Sequence, residues 1–600
     1  MPTPPAPRRL AALLLAALLG GCTAGDDKPP KDTDTEDTAG TTTTVEEEEG
    51  ICQVSMQCFG NVLDDPKAPC SLRVASPGGT VLYDGAAGVE LRGRSSLGFP
   101  KPQYALELRD HTELPVWPGS VWRYLDDGSN PGTAWRNPSF DDGGWGSGPA
   151  PLGYGLPYLQ TPVSAPGGSA TVYYRTTFTL GDRSQIADLD LGVKRVDGVA
   201  VYLNGVEVLR DNLPAQAAFD TPAVEASPDR SFWRQSDVDE SLLVDGDNVL
   251  AVEVHRASAG IEESSFDLYL EAKGEDAPTN LLGMGKAEDW ILNGQYVDRV
   301  LFRNRLAYDM FQELGGVERY ATETRFCELE LNGEYRGIYT LGESIQRDDD
   351  RLDIGKGDQP GDTFIVKNDD VGQGIHDNQV GYGFWQLVYP DASDAEAVDT
   401  VSATLAGWEA SVLAPDPGDM FAWMDLDSAV DWVLLNEFMK NRDAYLLSVH
   451  LWRDQGQPLR FTPWDLDLSM GSYPFDDCTA QGWVSRTYLD LQGVEHDIPF
   501  IQKMAEVPAF RDRLVTRWQE LRAGPWSDQA IADHVAHYDE LLAPVLDANV
   551  ARWPVEDIVF STYGVDDWLC PVSSYQEEHD HVMSFISERL AWMDANISTF

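Results

Sequence analysis

The chain has 600 residues, 42% hydrophobic and 10% aromatic, and sets 99 Asp and Glu against 44 Lys and Arg for a formal net charge of -55. That length exceeds what one hydrophobic core organises, so at least two folded domains are expected. The charge repels nucleic acid and anionic lipid headgroups, which argues against a nucleic-acid partner, and it attracts cations, divalent metals among them.

Residues 1–21 read as an export signal. Arg8 and Arg9 precede the apolar run Leu10 to Leu19, which is too short to span a bilayer as a helix, and small residues lead into Cys22. Leu19-Gly20-Gly21-Cys22 resembles a lipobox, which implies that Cys22 is lipidated; ordinary signal cleavage beside a chance cysteine is the alternative. Two acyl chains suffice for anchoring, so the membrane is met only through the lipid. Thr23 after the cysteine, in place of Asp, points by analogy to the outer membrane. Residues 22–50 are polar and acidic; between Asp26 and Gly50 only Ala39 and Val45 are apolar, so an extended tether is expected. The six later cysteines, Cys52, Cys58, Cys70, Cys327, Cys478 and Cys570, are disulfide candidates in an oxidising compartment. The first three crowd together, so at least one should reach a distant partner. No CxxC pair supports a structural zinc site.

Residues 51–111 read as short strands and turns, with the alternation of Tyr104-Ala105-Leu106-Glu107-Leu108 marking a half-buried strand. Residues 112–275 turn rich in Trp, Gly, Tyr and Asp. Runs such as "TVYYRTTFTL" and "GVAVYLNGVEVLR", broken by Asn204-Gly205 and Asp245-Gly246, predict an all-β sandwich. From 276 to 600 the pattern is mixed. "DRVLFRNRLAYDMFQELGG" predicts a helix, "TRFCELELNGEYRGIYTLGES" a hairpin tipped by Asn332-Gly333, and "SAVDWVLLNEFMKNRD" a second helix. "LLSVHLWRD" and "LRFTPWDLDLSM" follow as strands, and the chain from Asp497 is mainly helical. The sandwich is therefore expected to interrupt one α+β unit.

Asn441-Arg442-Asp443 and Pro463-Trp464-Asp465-Leu466-Asp467 carry the most chemistry. On a strand, Asp465 and Asp467 at i and i+2 would project from one face, and two convergent carboxylates suit Mg²⁺. Asp443, at a helix end one hairpin earlier, could converge with them. An Asp that orients a hydroxyl, followed by a metal-binding Asp, is an arrangement used for phosphoryl transfer. A helix-terminating Asp443 and a solvated turn at Asp465 are the plainer reading. No GxxxxGK, HExxH or GxSxG motif occurs.

Five ordered blocks extend the pattern: "RGRSSLGFPKPQYALEL", "GMGKAEDWILNGQYVDRVLFRNRLAYDM", "ELNGEYRGIYTLGESI", "TFIVKND" and "NRDAYLLSVHLWRD" with "FTPWDLDLSMGS". Together they resemble the spore coat protein H (CotH) family of atypical protein kinases over 51–110 and 280–500. The resemblance implies phosphorylation of Ser or Thr on exported proteins, with ATP as donor and Mg²⁺ or Mn²⁺ as cofactor. It casts Asp443 as the group that orients the acceptor hydroxyl and takes its proton, and Asp465 and Asp467 as metal ligands. Glu343 and Lys367 become candidates for an ion pair that places the phosphates, with Arg92 and Lys101 as further phosphate contacts. Structural salt bridges or surface charges account for these four equally well. Ser448 stands where the family commonly has a metal-binding Asn, and is a weaker ligand.

"AWRNPSFDDGGWGSGPAPLGYG", "YYRTTF", "RVDGVAVYLNGVEVLR" and "GDNVLAVEVH" resemble a galactose-binding-like jelly-roll sandwich, which implies carbohydrate as a candidate partner. Trp122, Trp135 and Trp145 fit a core better than a ligand platform. The fold expected overall is α+β: a kinase-like CotH domain, interrupted by the jelly roll, with a largely helical C-terminal part. A surface adhesion or scaffold protein without turnover is the competing reading, and an acid/base pair of Asp443 and Asp465 acting on carbohydrate is a third.

Overall fold

A computed structural model describes residues 49–600 apart from 59–60, 165–168, 228–232, 236–237, 258–262, 316, 371–373, 382, 442, 473–477, 487, 490–494, 497–498 and 561–568. The export signal, Cys22 and nearly all of the tether lie outside the described residues.

Seven strands close into a barrel: β1 (Cys52–Cys58), β2 (Ala68–Ala75), β3 (Val81–Arg92), β4 (Gln103–Arg109), β5 (Asp289–Asn293), β6 (Thr324–Leu331) and β7 (Glu334–Glu343). The period-2 pattern places Cys52, Val54, Met56 and Cys58 inward on β1, against Leu72, Val89, Leu106 and Leu341. Asn332 and Gly333, both at positive φ, form the β6–β7 turn. The barrel closes where β1 runs parallel to β6, and there Cys52 is disulfide-bonded to its register partner Cys327. Cys58–Cys70 links β1 to β2, and Cys478–Cys570 ties two C-terminal segments.

Two six-stranded sheets stand between β4 and β5 in the chain. One is centred on Gly246–His255, flanked by Thr171–Leu180 and Gly198–Leu203; the other pairs Asp188–Arg195 with Ser264–Lys273. Trp122, Tyr174, Leu191, Val252 and Leu268 share the core between them. Trp135 is buried under an outer layer with Tyr173 and Tyr202, and Trp145 packs half-buried at its edge. Both the barrel and these sheets bury charged pairs. Glu107 on β4 accepts from Lys67 Nζ (2.8 Å) and from Arg109, while Lys273 Nζ donates to Asp190 (2.6 Å). Burial works to raise the Glu107 pKa, yet Lys67, Arg109 and Lys273 together hold it far below the usual range.

The rest of the chain packs a second sheet against helices. Its strands are β8 (Phe364–Asp370), β9 (His376–Asp377), β10 (Phe384–Tyr389), β11 (Val449–Arg453) and β12 (Arg460–Thr462), in the order β9-β10-β8-β11-β12. The helices are α1 (Arg303–Gln312), α2 (Ala395–Val412), α3 (Leu426–Met439), α4 (Pro499–Glu506), α5 (Pro508–Arg522), α6 (Asp528–Leu542), α7 (Leu546–Arg552) and α8 (Tyr575–Asn596). The buried face of α3 goes almost all round: its apolar side chains from Val430 to Phe438 pack in the core, and Asp431 and Glu437 among them are paired with arginines. Asp425 caps its start, and Lys440 at φ 54° stops it. Arg303, at the start of α1, bonds Asp298 (2.7 Å) and Glu578 of α8 with no solvent exposure, fixing α1 in place. No helix among the described residues is long and apolar enough to cross a membrane.

Candidate active site

Three adjacent strand ends build the site. β8 and β11 pair Lys367 with His450 and Asn368 with Val449, and β11 and β12 pair His450 with Thr462. One step past the β8–β11 ladder, Asp369 lies opposite Ser448; the chain leaving β12 brings Asp465 to the other side of the same serine. Ser448 Oγ is 3.4 Å from Asp369 Oδ1 and 3.2 Å from Asp465 Oδ2. Ser448 and Asp465 both take left-handed backbone conformations (φ 56° and 58°), which cost energy for non-glycine residues and concentrate at functional sites.

The strand expected through Asp465 and Asp467 ends at Thr462 instead. Helix α1 draws the chain away from the ladder. Asn304 and Tyr308, one turn apart on one face, accept from the Leu466 N–H (2.6 Å) and the Asp465 N–H (3.3 Å). The two carboxylates therefore do not share a strand face. Asp465 is open to solvent, whereas Asp467 is buried with its carboxyl hydrogen-bonded to Asp465.

Asp443 follows the α3 stop at the head of a short 3₁₀ turn, Asp443–Tyr445. Asn441 ties it to the Asp465 loop: its Oδ1 accepts from the Asp443 N–H (3.3 Å), and its Nδ2 donates to the Asp465 carbonyl (3.4 Å). The carboxylates feel one another. Protein packed around the Asp465 recess, then the charges of Asp369 and Asp443, push Asp465 up to about 6. Burial, and then the charge of Asp465, drives Asp467 well above its ordinary value.

Arg92, at the end of β3, is the cation facing this group. Its guanidinium lies 5.6 Å from the Trp464 ring centroid and donates to Gln103 Oε1 (3.2 Å). Burial lowers its pKa while Asp369 and Asp465 work to raise it. His450 packs on Trp464 at 5.4 Å, and burial pushes its imidazole down to about 3, so it is neutral.

Of the remaining predicted residues, Lys367 lies beside the site, whereas Glu343 and Lys101 lie elsewhere. Glu343 and Lys367 form no ion pair. Glu343 Oε2 accepts from the Glu323 N–H (2.9 Å) and the Tyr320 hydroxyl (3.2 Å), whereas Lys367 is paired across the strand with His450. Lys101 is buried, with Nζ donating to the Ile338 carbonyl (2.6 Å) and resting 5.2 Å from the Tyr339 ring. It lines a separate recess with Gln295 and Asp298, and burial pulls it down to about 7. Asp369 is the member that the sequence reading missed. Its signal is the end of "FIVKND", legible only once β8 is known to lie beside β11. Among the described residues, no three His, Cys, Asp or Glu side chains form a preformed metal-holding group.

The description "CotH kinase protein" belongs to the family whose model matches residues 256–593, more than half of the chain and all of the carboxylate site. The chain belongs to the CotH kinase family. The family match leaves out β1 to β4, so Arg92 comes to the site from outside it. No curated protein matches the chain. Solved structures that match in part include a Bacteroides uniformis beta-glucuronidase (21% identity, 27% of this chain and 18% of that one, TM-score 0.19). Another is a Ruminococcus gnavus beta-glucuronidase (12% identity, 28% of this chain and 29% of that one, TM-score 0.19). The chain thus spans under a third of the length of either, and matches this partial carry no inference about its activity.

Proposed function

We propose that the protein is a surface-exposed protein kinase that transfers the gamma-phosphate of ATP to Ser or Thr of exported proteins. The observation that supports it most is the convergence of Asp443, Asp465 and Ser448 on one recess, with Arg92 facing the carboxylates, inside a CotH kinase family match. The donor set suits a hard divalent cation. Asp465 is accessible, it is crowded by like charge, and Mg²⁺ needs only one or two carboxylates because water and phosphate oxygens complete its shell. Mg²⁺ or Mn²⁺ held there would neutralise charge on the transferring phosphate. Asp443 orients the acceptor hydroxyl and takes its proton; Asn441 holds Asp443 and the Asp465 loop in register; Arg92 supplies positive charge to phosphate oxygens.

Three disulfides support an oxidising compartment, and with the lipobox-like Cys22 we propose lipid anchorage at the outer membrane. The inserted two-sheet unit remains the proposed jelly roll and candidate carbohydrate binder. The adhesion reading gains little from its tryptophans, since Trp122 and Trp135 are fully buried. Calorimetry of ATP binding with and without Mg²⁺, on the wild type and Asp465→Ala, tests the kinase reading. Mg²⁺-dependent binding that vanishes in the variant is expected. A well-folded wild type that binds no nucleotide would overturn the proposal and favour the scaffold.

A further inference from the structure

We infer that Asp369 is the second cation ligand of this site, sharing the ion with Asp465 across the Ser448 hydroxyl, while Asp467 supports Asp465 from the buried side. This rests on the kinase reading, and it changes which carboxylates hold the metal.

The strand register puts Asp369 and Asp465 on opposite sides of one serine, with Ser448 Oγ 3.4 Å and 3.2 Å from their nearest oxygens. Two carboxylates and one hydroxyl from three neighbouring chain segments thus meet at Ser448 Oγ. Asp467 has a different position. It is 8% exposed beside the solvent-exposed Asp465, which suits holding a ligand in place better than being one. Asp369 is only half-buried, and among the described residues no Lys or Arg lies within ion-pair distance of it. Arg92 lies within electrostatic reach of both Asp369 and Asp465.

A second observation is independent of the carboxylates. His450 is 4% exposed and lies within electrostatic reach of Asp369, yet its Nδ1 is buried without a hydrogen-bond partner. A buried imidazole nitrogen left this way is costly unless something in the recess completes it, and water or a phosphate oxygen on a bound cation would do so. Two carboxylates and one hydroxyl, with water and phosphate, satisfy Mg²⁺ or Mn²⁺ without a third carboxylate. That agrees with the lack of a three-residue acidic or histidine cage among the described residues.

The test is Mn²⁺ binding to the full chain without nucleotide, read by the electron paramagnetic resonance signal of free Mn²⁺, with thermal melts to check folding. Asp369→Asn is expected to weaken Mn²⁺ binding by about tenfold or more, as Asp465→Asn does, and Asp467→Asn by clearly less. Wild-type affinity in a folded Asp369→Asn, or a larger loss in Asp467→Asn, overturns the assignment. Should Asp369→Asn not fold, Ser448→Ala decides: weakened binding supports the shared ion and unchanged binding refutes it. A wild type that binds no Mn²⁺ at all would instead defeat the kinase reading, and the assignment with it.

Discussion

Glu343 separates a structural carboxylate from a phosphate-placing one. It ends β7 at 2% exposure, and burial is the main reason its carboxyl is pushed from 4.5 up to about 7, against the help of the Glu323 N–H. A rise of that size corresponds to about 3 kcal/mol between the protonation states. Because the folded value lies above the unfolded one, the stability tied to Glu343 is fully present below pH 4.5. It is lost as pH rises through about 7. Glu343→Gln keeps an oxygen for both the Glu323 N–H and the Tyr320 hydroxyl, and it never ionises. The variant should therefore match the wild type near pH 4.5 and exceed it by up to about 3 kcal/mol above pH 8, less whatever the new amide N–H groups lose by burial. Thermal melts of both proteins from pH 4.5 to 8.5 measure this as a gap in Tm that widens with pH. A gap independent of pH would refute the burial argument. A collapse of nucleotide affinity in Glu343→Gln would restore Glu343 to the phosphate site.

Asp443→Asn should lower kcat by about 10²–10⁴-fold while leaving nucleotide affinity nearly unchanged, measured by phosphate transfer and calorimetry side by side. Removing the Cys52–Cys327 bond by paired alanine substitutions should destabilise the barrel by up to about 5 kcal/mol, since it closes a loop with a sequence separation of 275; denaturant melts measure it. Glu107→Gln leaves Lys67 and Arg109 buried without their shared carboxylate and should cost about 3–5 kcal/mol in the same assay. Arg303→Met strands Asp298 and Glu578 in the same way and should cost a similar amount.

Local patterns carried much of the fold. Cys52, Val54, Met56 and Cys58 alternate as a barrel strand must, Asn332-Gly333 makes its turn, and the run from Val430 to Phe438 forms a helix buried all round. One stretch misled for a physical reason. "LRFTPWDLDLSM" has strand composition throughout, but strand length is decided by the partner, and Asn304 and Tyr308 of a distant helix take the backbone N–H groups of Asp465 and Leu466. Propensity gave way to a tertiary hydrogen bond that no window of sequence contains. Glu343 and Lys367 failed differently. Each has the right charge for an ion pair, but they belong to different sheets, the barrel and the five-stranded sheet, and opposite charge says nothing of distance.

The contrast between Asp467 and Asp369 carries the same point into chemistry. Spacing favours Asp467, two residues from Asp465, whereas Asp369 lies 96 positions away and has no motif of its own. Yet β8 and β12 flank β11, so the chain at the ends of three strands brings Asp369, Ser448 and Asp465 together, while Asp467, two residues on, is buried. A cation site needs accessible oxygens around one point, and sheet order supplies that here where sequence proximity does not. An alternation argument could see Asp465 and Asp467 only as a pair. The register Asn368↔Val449 is what makes Asp369 visible, because it places the next residue of that strand opposite Ser448. Moving that register by one residue would turn Asp369 to the other face of the sheet and leave Asp465 with only Asp443 and the buried Asp467 for company.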